Sequence, residues 1–430
     1  MRGCRYTAPP LTSSGSVVCR SYTCIIANQF YRESSNGFIT PLLPFAERQF
    51  IGMKIHARRA LIHGKWQENR IVEIVGDRIA SVACGMDGDI SVEYLTPGLF
   101  DKHHHGGVGF DCAAPERDAC AVWLRHLPSH GVTDVLFTIA TGSVEGTRKA
   151  IAFAAEVMAL QKNGEMPGAR VRGVHLEGPF INPKRKGAMA GEYILAPTEE
   201  NFEAIVGRYE SVIRAITIAP EMQGAYDMAE KLSGRGICVQ AGHTDVDYAG
   251  MKQAAERGFS GITHTFNAMA DIEHRKPGPA AFGMLDDRIC MEAICDFVHL
   301  AEPVVRLLFK SKGANGIAMV SDCGRVSGMP EGEYVQNNHY ILVKDNRCYS
   351  ANGGISGSYV FLDSGVRCVA GAGVPMQDAF TAASTTPARY LGFSKTLGDV
   401  EVGMEASLAA WDSELNCLWA HAGADVFSRA

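Results

Sequence analysis

Residues 97–107 read PGLFDKHHHGG. The first half is a short apolar run behind a Pro-Gly break, the pattern of a buried strand. The second half puts an acid, a lysine and three histidines where that strand would end. His103 and His105 are two apart, so on an extended chain their side chains share a face and both imidazoles can reach one divalent ion. His104 points the other way. A lone H-x-H arises by chance, so its weight depends on what the rest of the chain does.

Working outward, the same arrangement recurs. Short apolar runs alternate with helical patterns, which argues for parallel β/α units. Strands are expected over 98–103, 134–139, 171–176, 215–219, 237–241, 261–265, 290–295 and 317–321. Helical patterns lie between most of them, for instance over 116–130, 143–162 and 248–257. Eight strands with helices between predict an α/β chain whose residues 98–388 form a (β/α)8, TIM-like barrel. Chemistry in such barrels sits at the C-terminal strand ends. Here the third strand ends in His175-Leu176-Glu177, the fifth runs into Gly242-His243-Thr244, and the sixth carries Thr263-His264-Thr265-Phe266-Asn267. The seventh ends in Asp296-Phe297-Val298-His299 and the eighth in Ser321-Asp322.

Glu177, His243 and His264 add one oxygen and two nitrogen donors to the His103/His105 pair. A mixed histidine and carboxylate shell suits zinc, or a comparable first-row ion, that activates water. Asp322 is the candidate proton acceptor and donor beside that water. His299 is a candidate support for the substrate's oxygen or its anionic part.

The flanks read differently. Residues 53–97 and 389–430 hold short alternating runs broken by Gly and Asp, which predicts a small β-sandwich domain built from both sides of the barrel. Residues 1–52 are rich in Ser, Pro and Arg without sustained period and are expected to be a poorly ordered N-terminal extension. The 430 residues are 46% hydrophobic and 20% charged, with 41 Lys+Arg against 47 Asp+Glu for a net charge of −6. That balance argues against nucleic acid as partner. No apolar run reaches the roughly 18 residues of a membrane span. The 13 cysteines are odd in number and lack a C-x-x-C pair. They read as reduced thiols of a cytoplasmic enzyme. GGVGFDC (106–112) lacks the third glycine of a dinucleotide fingerprint.

Taken together the motifs resemble the N-acetylglucosamine-6-phosphate deacetylases of the amidohydrolase superfamily, over roughly 54–412. They are PGLFDKHHHGG (97–107), HLEGPFINPKRKGA (175–188), Glu221 after the fourth strand, GHT (242–244), THTFNAM (263–269), HRKPG (274–278), VSD (320–322), MPEGEY (329–334), GISGS (354–358) and TTPARYLG (385–392). The resemblance implies hydrolysis of the acetamide of N-acetylglucosamine 6-phosphate, with Glu177, His243 and His264 on the main metal. It implies His103 and His105 at positions that hold a second metal in some members and are replaced in others, hence one or two ions per subunit, with Asp322 as catalytic aspartate, and Asn267, the Ala268 backbone, Arg275 and His299 on the sugar phosphate. Ala188 closes the K-G-A run on the substrate side, and Ile355, Ser356 and Gly357 belong to the loop over the sugar. A homodimer is implied, with Arg275 reaching the neighbouring subunit's site. Two positions depart from the family pattern: Met189 stands where a histidine is usual and Phe297 where a glycine is. N-acetylgalactosamine 6-phosphate, an N-acyl-amino-acid deacylase activity and a non-catalytic relative stay open as alternatives.

Overall fold

The computed structural model describes residues 52–428 apart from 337–338, 352 and 424. The expected extension therefore lies, up to residue 51, outside the described residues. The centre of the chain is an eight-stranded parallel sheet. Its strands are β1 (Leu99–Asp101), β2 (Val132–Ala140), β3 (Arg170–Glu177), β4 (Ile213–Ile218), β5 (Cys238–Ala241), β6 (Phe259–Ile262), β7 (Cys290–Ala293) and β8 (Ile317–Met319). They lie side by side in sequence order. Each of the eight expected strands is present, and their near-continuous burial explains the unbroken apolar text, as for a sheet covered on both faces.

Helices fill the connections. Val144–Lys162 is typical: Ser143 caps it by accepting from the Gly146 N–H at 3.1 Å, and Thr147, Ala150, Ile151, Ala154 and Val157 form its buried stripe. Among the described residues no ladder pairs β8 with β1. The two are tied by the Asp322 N–H, which donates to His103 O at 3.0 Å, and by the Ser321 N–H, which donates to Asp101 Oδ1 at 3.2 Å.

A second sheet takes strands from both flanks: Met53–Ile62, Lys65–Val75, Arg78–Cys84 and Ile90–Pro97 before the parallel sheet, and Ser407–Trp411, Cys417–Ala422 and Asp425–Ser428 after it. The flanks meet where Ser407–Trp411 pairs antiparallel with Ile90–Pro97. In place of two hydrogen-bonded layers, they form one continuous seven-stranded sheet. It has its own core of Ile55, Val72, Ile74, Leu95, Met404 and Leu408.

A third sheet, not expected from the sequence, follows β8: Gly332–Gln336, His339–Lys344 and Arg347–Ser350, all antiparallel. Asp345 and Asn346 turn its second hairpin, with φ of 51° and 56°. This is the two-residue turn whose twist matches paired strands. It delivers the chain back to the C-terminal end of β8.

Candidate metal centre

Six side chains from five strand ends converge beyond the C-terminal edge of the parallel sheet. Glu177 ends β3 and is buried at the middle of the group. Its Oε1 lies 3.1 Å from His243 Nε2 and 3.0 Å from His264 Nε2, after β5 and β6. The two nitrogens are 3.0 Å apart. Its Oε2 lies 3.2 Å from His105 Nε2, and His103 Nε2 is 3.5 Å from Oε1. His103 and His105 bring their Nε2 atoms within 3.2 Å, and Asp322 Oδ1 sits 3.4 and 3.3 Å from them. Glu177 thus stands between two donor groups, His243/His264 on one side and His103/His105/Asp322 on the other.

Imidazole nitrogens do not approach face to face without something positive between them. In the protein alone that role falls to protons. Burial lowers the affinity of His264 for a proton, but Glu177 outweighs it and holds the group up at about 9. His105 is likewise raised, with Asp322 and Glu177 overcoming burial. Burial would raise the Asp322 carboxyl; His103 and His105 overcome it and hold it down at about 2. A divalent ion does the same work with ligands at about 2.0–2.2 Å, which at tetrahedral angles puts donors about 3.3 Å apart. The separations of 3.0–3.5 Å fit such an ion, and two groups joined by a carboxylate fit two. Two of the histidines have their far nitrogen fixed by backbone: His105 Nδ1 at 3.1 Å from Thr138 O and His243 Nδ1 at 2.8 Å from Arg185 O.

Backbone strain concentrates here. His243, His264, Phe266, Ala268, Phe297 and Asp322 all have positive φ, at 50°, 27°, 75°, 50°, 60° and 55°. Each follows one of the strands β5 to β8. Conformations that L-residues avoid are retained where a side chain must be aimed.

The other sequence-derived site residues fall around this group at varying distance. His299 is nearly buried, with Nδ1 at 2.8 Å from Asp296 Oδ2. Asn267 folds back to donate to His264 O at 3.1 Å, and Ala268 O accepts from the Thr244 N–H at 3.1 Å. The Ile355–Gly357 loop rests on Asp322: a Cβ on Gly357 would stand 2.8 Å from Asp322 O, and the Ser358 N–H donates to that oxygen at 3.0 Å. Ala188 is exposed, one residue after Gly187, whose Cβ position is 3.5 Å from the His243 ring. Arg275 is exposed and makes no ion pair among the described residues. His104 does point away, its ring packed on Trp123 at 5.2 Å.

Sequence reasoning missed Lys102, Gln240 and Glu292, all buried beneath the group. The available signal was a lone acid inside the apolar run Cys290–Cys295. It also left Glu221 without a role. Glu221 accepts from the Asp245 N–H at 2.6 Å and from Asn182 Nδ2 at 2.7 Å, bracing the loop that carries His243.

Known proteins resemble this chain over most of its length. The amidohydrolase family profile matches residues 94–427. The N-acetylglucosamine-6-phosphate deacetylase of Vibrio furnissii is 31% identical over 372 residues, covering 84% of this chain and 92% of its own. The N-acetylgalactosamine-6-phosphate deacetylase of Escherichia coli O157:H7 is 30% identical over 368 residues, covering 84% and 96%. A crystal structure of N-acetyl-D-glucosamine-6-phosphate deacetylase from Mycobacterium smegmatis superposes with a TM-score of 0.80 at 27% identity, over 87% of this chain and 99% of that one.

Proposed function

Because the chain belongs to the amidohydrolase family, we propose that it hydrolyses the acetamide of N-acetylglucosamine 6-phosphate to glucosamine 6-phosphate and acetate, in amino-sugar catabolism. The observation that carries this reading is the convergence of His103, His105, Glu177, His243 and His264, with Asp322 Oδ1 at their edge. Glu177, His243 and His264 would hold one divalent ion, zinc by donor type, and His103, His105 and Asp322 a second, with Glu177 between them. An ion so held lowers the pKa of water from 15.7 towards about 7 and polarises a carbonyl oxygen.

The chain's own groups do the rest. Asp322 is ionised at neutral pH, so its Oδ1 can receive the proton of the attacking water and return it to the departing sugar nitrogen. Asp296 engages His299 at Nδ1, leaving Nε2 for an oxygen of the substrate. Asn267, the Ala268 backbone and the planar, permanently charged fork of Arg275 are the proposed phosphate contacts. An exposed guanidinium without an ion-pair partner among the described residues fits the reading that Arg275 completes the site of a second subunit in a homodimer. The two hydrogen bonds between the ends of β1 and β8 are the proposed closure of the barrel. Cys84, Cys112, Cys120, Cys238, Cys290, Cys295, Cys323, Cys348 and Cys368 are free thiols, which fits a cytoplasmic setting. Among the described residues no helix is long and apolar enough to cross a membrane.

N-acetylgalactosamine 6-phosphate is the second reading. The Escherichia coli O157:H7 relative and the departures at Met189 and Phe297, both on the substrate side, favour it. The test is a comparison of kcat/KM for N-acetylglucosamine 6-phosphate, N-acetylgalactosamine 6-phosphate and unphosphorylated N-acetylglucosamine, for the native chain and Arg275→Ala. The proposal expects a strong preference for phosphate that Arg275→Ala reduces through KM. Equal use of the plain sugar removes Arg275 from its role, and activity confined to N-acyl amino acids overturns the substrate class.

A further inference from the structure

Beneath the metal centre lies a fully buried ion pair that the reaction does not use. Lys102 and Glu292 both have side chains with 0% exposure, and Lys102 Nζ bonds Glu292 Oε1. The same ammonium donates to Gln240 Oε1 at 2.5 Å and lies 5.0 Å from the centre of the Tyr390 ring. Gln240 Nε2 in turn donates to Glu292 Oε1 at 3.0 Å. The other carboxylate oxygen faces the opposite way. Glu292 Oε2 accepts from the His264 N–H at 3.0 Å and stands 2.9 Å from His103 Nδ1.

Two buried charges so far from water are expensive to keep and are weak evidence of stabilisation in themselves. Their arrangement gives them another use. His105 and His243 take their orientation from backbone carbonyls, and His264 Nδ1 is buried without a partner. Among the described residues His103 is the ligand whose far nitrogen rests on a charged side chain. With Nδ1 engaged by Glu292, Nε2 is the nitrogen aimed at His105, Glu177 and Asp322. A carboxylate behind a ligating imidazole fixes its orientation and raises its donor strength. Lys102 holds that carboxylate in place from the side away from the ion.

We propose that the Lys102–Glu292 pair positions His103 as a ligand of the second ion, so that occupancy of the His103/His105 side depends on two residues that touch neither metal nor substrate. This rests on the two-ion reading above. It makes Lys102 and Glu292 positioning residues, with a larger effect on the His103 side, where Glu292 meets a side chain, than on the His264 side, where it meets only a backbone N–H.

The test is zinc binding to the full chain by chelator competition, with cobalt absorption as a second readout, on the native protein, Glu292→Gln and Lys102→Met. Glu292→Gln keeps size and a carbonyl oxygen towards His103 but turns its amide NH2 to the donors Lys102 Nζ and Gln240 Nε2, and Lys102→Met removes the counter-charge, so Tm is read for both and the ion stoichiometry is compared on folded protein only. The native chain is expected to bind two ions. Each variant is expected to keep one at native affinity and to bind the other about 10–100-fold more weakly, with a changed cobalt spectrum. A native chain that saturates at one ion overturns the two-ion reading and this inference with it. Two ions in the native chain with unchanged affinities and spectrum in Glu292→Gln overturn the positioning role alone.

Discussion

Replacing Asp322 by asparagine is the sharpest perturbation of the proposed chemistry, because the fold around it tolerates the change. Asp322 has a φ of 55°, a conformation in which asparagine is among the least strained side chains. Its backbone contacts, the N–H to His103 O and the carbonyl to the Ser358 N–H, both at 3.0 Å, do not involve the side chain. The fold itself should therefore survive the change. What disappears is a negative charge 3.3 Å from His105 Nε2 and 3.4 Å from His103 Nε2. Loss of a positioned proton acceptor lowers rates about 10²–10⁴-fold, which is about 2.7–5.5 kcal/mol of barrier. The assay is acetate release at saturating zinc, with bound metal measured on the same samples, so that lost chemistry is distinguished from a lost ion. If the Asp322→Asn protein keeps its metal and more than about a tenth of native kcat, Asp322 does not carry the proton.

Two further outcomes follow from the same geometry. In the metal-free protein His264 is held at about 9 against an ordinary 6.5, so the stability it contributes is complete below pH 6.5 and is lost as pH rises through about 9. Melting of the chelator-treated protein should fall across that window while the zinc-loaded protein, whose ligating histidines are neutral, does not follow; parallel profiles would contradict the assignment. Phe297→Gly relieves a left-handed conformation that costs a non-glycine residue about 1–2 kcal/mol and removes a half-buried ring. It is expected to change the ratio of kcat/KM for N-acetylgalactosamine 6-phosphate to that for N-acetylglucosamine 6-phosphate, and an unchanged ratio would take Phe297 out of the substrate pocket.

The parallel sheet was legible because burial on both faces writes itself as short apolar runs, and the convergent side chains because histidines and acids stood where those runs stopped. Glu177, His243 and His264 lie 66 and 21 positions apart in turn, yet each could be found one strand at a time. Lys102 and Glu292 were not found, although an acid inside the apolar run Cys290–Cys295 was a signal for one of them. A lysine beside three histidines and an acid in an apolar strand each look like surface residues by type, and only their contact across 190 positions makes both burials intelligible. The antiparallel sheet at 332–350 was missed although Asp345-Asn346 is a strong hairpin signal, because the alternation on either side is short. The flanking strands were legible as strands, but not that Ser407–Trp411 would join Ile90–Pro97 in one sheet, since register between distant segments is set by tertiary packing.

The central claim is that this side-chain cluster, loaded with a divalent ion, splits an acetamide. The direct measurement is product formation from N-acetylglucosamine 6-phosphate by metal-stripped protein before and after zinc is restored. The account predicts no turnover without metal, and acetate and free amine in equal amounts once it returns. Turnover that survives complete removal of metal, or a zinc-loaded protein that releases no acetate from any N-acetylhexosamine phosphate, would contradict it.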